Sequence, residues 1–155
     1  MDSLNEKELS VGKPSGKPIL ERMSRMKAVM QGFRALLDEE LQPLGITPAQ
    51  LKMLWSIAEN PEISGAKVAR LCSVTPQSGQ AMIATMEAHG WVRRRPSEAS
   101  HRVLVAELTG KGRRVLVKAR GIAEKLDSSL WQGVAEKELA GLDATLKAVV
   151  ERLQR

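Results

Sequence analysis

Gln77, Ser78 and Gln80 stand in the run TPQSGQAMIATMEAHG, and their side chains hydrogen-bond without carrying charge. Such groups suit a surface that displays donors and acceptors together, as base edges do in a DNA major groove. Gln can pair bidentately with adenine, so Gln77 and Gln80 are candidate base readers. Thr75 and Pro76 ahead of them are the residue types of a helix N-cap and first helical position. The free N–H groups of a helix start suit phosphate, which makes Thr75, Pro76 and Ser78 candidate backbone contacts. A second chemistry is cationic. Arg94 and Arg95 lie in WVRRRP, and Arg102 closes the polar loop PSEASHR beside Ser100 and His101. All five are candidate contacts to phosphate or to the minor groove. On a strand, Arg94 must face away from Arg93 and Arg95.

These groups need elements to hold them. Ser64 has the residue type of an N-cap, with Ile63 and Val68 spaced as a hydrophobic staple, so a short helix is expected from Ser64 to about Leu71 or Cys72. Ser64, at that polar helix start, is a further candidate DNA contact. Ser73 and Val74 turn the chain into a second helix. There Gly79, Met82, Ile83 and Met86 form the buried stripe, and His89-Gly90 ends it. Trp91–Arg95 and the β-branched run Val103–Leu108 read as two strands joined by the Pro96–Arg102 loop. The expectation is a helix–turn–helix with a basic hairpin directly behind its second helix.

The flanks are helical seams. Ile19, Met23, Met26, Met30, Phe33 and Leu37 are spaced 4, 3, 4, 3, 4. Leu139, Leu142, Leu146, Val149 and Leu153 are spaced 3, 4, 3, 4. Each is the pattern of a helix packed on another helix, internal or in a second copy of the chain. Ile19, Met23 and the five C-terminal residues are the candidate dimerisation set. Thr47-Pro48-Ala49-Gln50 starts a helix whose expected buried face is Leu51, Leu54, Trp55 and Ala58. Residues 1–18 read as a polar arm, 19–45 and 121–155 as dimerisation helices, and 46–120 as a winged-helix module. The fold class is mainly α with a small β-hairpin wing, a DNA-binding module plus a helical dimerisation region. The Gly110-Lys111-Gly112 start of the helix after Thr109 is loose and cationic, which the helix dipole disfavours and nearby phosphates would explain.

Composition sets the bounds. The 155 residues fit one domain of ordinary hydrophobic content, 43%. The net charge of +6 is concentrated: residues 91–120 carry nine Lys and Arg against Glu98 and Glu107, which points to a polyanionic partner. No apolar run reaches membrane-spanning length, MDSLNEKELS is no signal peptide, and a single cysteine suits a reducing cytoplasm. Cys72 reads as core rather than redox sensor. His89, Glu98 and His101 lack metal-ligand spacing, no nucleophile motif or phosphate-cradling glycine loop is present, and neither enzyme nor cofactor is expected.

The order of parts from Ile19 to Leu153 resembles the MarR family of bacterial transcription regulators. The specific pieces are TPAQLKMLWSIAENP, LCSVTPQSGQAMIATMEAHGWVRR and VLVAELTGKGRRVL. The resemblance implies a homodimer that binds a pseudo-palindromic DNA operator, usually as a repressor. It also implies release by a small aromatic or phenolic ligand, or by cysteine oxidation. That ligand would lie between the dimerisation and DNA-binding regions, where Arg22, Met26, Met30, Phe33 and Trp55 are the candidate lining. Two positions depart from the pattern. Ser100 stands where the family carries an Asp that braces the wing Arg, here Arg102, so a more mobile wing is expected. Ala81 stands where many relatives carry an Arg in the reading helix. A winged-helix adaptor that binds another protein is the alternative.

Overall fold

The computed structural model describes residues 17–153. The expected arm at 1–18 lies outside the described residues except for Lys17 and Pro18, which begin the first helix. Six α-helices and one hairpin follow in the order α1 (Lys17–Leu41), α2 (Pro48–Glu59), α3 (Gly65–Leu71), α4 (Pro76–Ala88), β1 (Val92–Pro96), β2 (Leu104–Leu108), α5 (Gly110–Leu130) and α6 (Glu136–Leu153). A 3-10 turn at Gln42–Leu44 ends on Gly45, whose φ of 65° lets the chain reverse.

The helix starts follow from local chemistry. Thr47 makes a full capping box, with Gln50 N–H donating to the Thr47 hydroxyl and Thr47 N–H to Gln50 Oε1 at 2.9 Å. Ser64, Thr75 and Thr109 each accept from the backbone N–H three residues on. Each such cap contributes about 1 kcal/mol. β1 and β2 are antiparallel, in register from Val92 opposite Leu108 to Pro96 opposite Leu104. The α2–α3 turn adds a third partial strand: Ser64 bridges Val105, and Ala106 N–H donates to Ile63 O at 3.0 Å.

The core lies where the C-terminal end of α1 meets α2, α3, α4, the hairpin and the first half of α5. Leu41, Met53, Leu54, Ile63, Val68, Ile83, Met86 and Val105 are fully buried there. Burial of each stabilises the fold by roughly 1.5–3 kcal/mol. The buried face of α2 differs from expectation. Met53 and Ile57 are buried, Trp55 is half-buried and Ala58 is exposed. The reason is that α2 packs against α1 and α5 as well as α3 and β2, so its covered arc is wider than one helical stripe.

The two seams are covered unequally. In α1, Leu37 and Leu41 are buried and Phe33 is half-buried, but Ile19, Met23, Met26 and Met30 are exposed. In α6 no residue is buried; Leu142, Leu146, Val149 and Leu153 are exposed, and Leu139 is half-buried. Among the described residues, no internal helix closes either seam.

Candidate nucleic-acid interface

Thr75 holds the start of α4 through two bonds. Its hydroxyl accepts from Ser78 N–H at 3.1 Å and donates to Ser78 Oγ at 2.9 Å. Pro76, Gln77, Ser78 and Gln80 are all exposed, as are Ala81 and Ala84. The opposite face is fixed by a close approach: a Cβ on Gly79 would lie 2.6 Å from the Ala69 Cβ, so α3 and α4 touch at backbone distance. That contact, with Ile83 and Met86 buried, turns the uncharged polar face of α4 outward. Gln80 lies at the edge of this face. Its side chain packs over Gly65 and lines a small cleft with Ile83, Arg94 and Leu104. Ser64 is half-buried and serves as the α3 cap and as the bridge to Val105.

The three arginines of β1 are engaged. Arg94 pairs with Glu87 of α4 at 3.2 Å, on the face opposite its neighbours as the strand period requires. Arg95 donates from Nε to Glu107 Oε2 at 2.8 Å, from Nη1 to Pro96 O at 3.0 Å, and from Nη2 to Glu62. Arg93 pairs with the other oxygen of Glu107. Hydrogen bonds from Arg95 and then Arg93 hold the Glu107 carboxyl below its usual range, and those to Glu107 and Glu62 raise Arg95. Arg94 and Arg95 are therefore already paired within the chain. Ser100, His101 and Arg102 are exposed at the wing tip, and Arg102 has no carboxylate partner among the described residues. The missing family Asp does not leave the hairpin without a brace. Its base is held by Glu62 and Glu107, which no periodicity in the sequence singles out.

The glycine-rich start of α5 has a packing cause. A Cβ on Gly112 would sit 1.9 Å from the Trp91 carbonyl oxygen, and Lys111 Nζ donates to His89 O at the end of α4, 2.9 Å away. Those contacts account for Lys111 and Gly112 without phosphate. Cys72 is buried, its sulfur 3.8 Å from Ser56 Oγ.

The residues expected around an effector are not gathered into a cavity within one chain. Arg22, Met26 and Met30 are exposed on α1, Phe33 packs on the core edge, and Trp55 carries the Arg120 guanidinium 5.1 Å from its ring centroid. A groove of about 440 Å³ lies instead behind the wing base, between Ile57, Pro61, Glu62, Leu108, Arg113 and Leu116. No group of three or more His, Cys, Asp or Glu able to hold a metal occurs among the described residues, and no described helix is long and apolar enough to cross a membrane.

Comparison with known proteins agrees with this geometry. The MarR family model matches residues 44–103, from the turn before α2 to the wing. An HTH-type transcriptional repressor of Mycobacterium tuberculosis is 32% identical over 111 residues, 72% of this chain and 78% of that protein. The multiple antibiotic resistance protein MarR of Escherichia coli is 30% identical over 116 residues, 74% of this chain and 81% of its own. The crystal structure of a mutant Escherichia coli MarR complexed with operator DNA superposes with a TM-score of 0.76 at 28% identity, covering 87% of this chain and 97% of that one. These relatives are transcription regulators rather than enzymes, and with its two-stranded wing behind α4 the chain belongs to the MarR family of winged-helix transcriptional regulators.

Proposed function

We propose that the protein is a homodimeric repressor that binds a pseudo-palindromic DNA operator and is released by a small-molecule effector. The observation that carries the DNA reading is the outward face of α4: uncharged, hydrogen-bonding, capped at Thr75, and flanked by an exposed Arg102 on the wing. A helix of this kind reads base edges while cations on the hairpin meet phosphate or the minor groove. In this reading Gln77 and Gln80 select sequence, and Thr75, Pro76, Ser78, Ser100, His101 and Arg102 set register. The paired Arg94 and Arg95 act mainly by shaping the wing, and Ser64 by capping α3. The similar Escherichia coli MarR complexed with operator DNA supports the same docking.

Dimerisation is supported by the uncovered seams. Met30 is 70% exposed and Leu153 81%, a surface that a stable single chain in water does not leave bare over two helices. A second copy that paired α1 and α6 with their counterparts would cover it and hold two α4 helices for two half-sites. The effector would then lie between the dimer helices and the winged module, with Arg22 meeting an acidic group and Met26, Met30, Phe33 and Trp55 forming the walls. Family likeness supports this last element.

The test is a fluorescence-anisotropy titration of duplexes selected from genomic fragments, repeated across salt. With 6–10 phosphate contacts, affinity falls by about 10³–10⁵ between 50 and 200 mM salt. A flat salt response, or no preference among fragments alongside capture of one protein partner, overturns the DNA reading in favour of an adaptor.

A further inference from the structure

Glu62 stands in the tight turn between α2 and α3, and it is one of two described non-glycine residues with positive φ, at 61°. This left-handed backbone is uncommon for Glu and persists where surrounding contacts fix it. Those contacts all come from the wing. Glu62 Oε2 accepts from Ser97 Oγ at 2.7 Å and from Glu98 N–H at 3.0 Å, and Oε1 accepts from Arg95 Nη2. Ser97 is buried, and its hydroxyl in turn accepts from Ala99 N–H at 3.2 Å. The residues next to Glu62 grip the other strand by backbone, Ile63 O to Ala106 N–H and Ser64 to Val105. One three-residue stretch thus holds both strands of the hairpin. Its last member also caps α3, the helix against which α4 packs.

We propose that Glu62 is a positioning residue for DNA binding. It latches the wing to the helix–turn–helix, so that Arg102 at the wing tip is held at a fixed offset from the reading face of α4. The latch takes the place of the absent acidic residue at Ser100 and acts from the other end of the loop. It rests on the reading that the wing tip touches DNA. Without the carboxylate the hairpin keeps its β1–β2 ladder and its bridge to Ser64, but the start of the 97–103 loop loses two acceptor contacts and Arg95 at the end of β1 loses a third. Arg102 then samples many positions, and ordering it again on DNA offsets what its charge contributes.

Glu62→Gly separates the latch from the backbone. Glycine adopts the positive φ freely, so the fold is retained while the carboxylate is lost. In the free protein, amide exchange at Glu98 and Ala99 should rise about tenfold while exchange in α3 and α4 stays unchanged, a local opening rather than global loss. Affinity is then measured on the tightest duplex recovered from a random-sequence library, in a double-mutant cycle with Arg102→Ala. Arg102→Ala should weaken the wild type roughly tenfold and the Glu62→Gly background less than threefold, sparing no sequence, because the contact is to backbone. Glu62→Gln, which keeps acceptors for Ser97 and Glu98 but not the charge for Arg95, should fall between. Unchanged exchange in Glu62→Gly, or a full tenfold effect of Arg102→Ala in that background, overturns the proposal. Faster exchange together with no effect of Arg102→Ala in the wild type overturns the wing contact itself, and leaves Glu62 a brace with no part in binding.

Discussion

At the scale of single residues, chemistry and packing divide unevenly between side chains of similar type. Of the wing arginines, Arg93 and Arg95 converge on Glu107, Arg94 reaches Glu87, and Arg102 is unpaired among the described residues. The three adjacent arginines of β1 are thus all drawn into ion pairs. Gly112 shows the same split between a chemical and a packing account. Its place in a cationic helix start suggested phosphate, yet the Trp91 carbonyl occupies the space a side chain would need. That carbonyl also accepts from Thr109 N–H at 3.0 Å and from the Thr109 hydroxyl at 3.2 Å, so it cannot move aside cheaply. Gly112→Ala should therefore lower stability by about 3 kcal/mol, the upper end of what overpacking usually costs, read as a lower urea midpoint with unchanged m-value. Gly121, with open space around its Cβ position, is the control: Gly121→Ala should be neutral or stabilising.

At the scale of elements, the inner residues Val92, Ala106 and Leu108 anchor the wing in the core, and hydrogen bonds to two carboxylates hold its outer part. Glu62 and Glu107 both have carboxyls held below the usual 4.5. For Glu62 the Ser97 hydroxyl is the main cause, followed by the Glu98 N–H; for Glu107 it is the Arg95 guanidinium, then Arg93. A depressed carboxyl pKa means that the unfolded chain takes up its proton first. The stabilisation is complete above about pH 4.5 and is lost as pH falls through the lower folded-state values. Wing-loop amide protection should accordingly be flat from pH 8 to about pH 5, with exchange corrected for its intrinsic pH dependence, and should decline in more acid solution. A Glu62→Gln, Glu107→Gln double variant should show weaker protection at neutral pH and less of the acid decline. These pairs are partly exposed, so their contribution is modest and screened by salt.

At the scale of the whole molecule, α1 and α6 leave their apolar seams exposed within one chain. α6 buries nothing within one chain, although Leu142, Leu146 and Val149 repeat at helix-packing intervals. Leu146→Asp should shift the protein to monomer in light scattering while the winged-helix module stays folded, because its core is separate from α6. The weakening on a two-half-site duplex should be roughly 10²–10⁴-fold, the advantage that linking two binding modules ordinarily supplies. A variant that remains dimeric would show that another surface joins the copies.

What the sequence determined by itself was whatever depends on neighbours along the chain. The caps at Thr47, Ser64, Thr75 and Thr109 and the turn at Gly90 rest on interactions within a few residues, and the wing strands were legible from their β-branched residue types. The polar face of α4 was legible because a helix has a fixed period. Tertiary structure alone decided the burial of Met53 and Ile57, the steric need for Gly112, and the engagement of Arg94 and Arg95. It also decided the meeting of Glu62 with Ser97 across 35 residues. A long-range contact depends on how three elements happen to cross, and neither Glu62 nor Ser97 repeats at any interval that would announce it. The sequence could name the cations of the wing; only the fold chose which of them remained free.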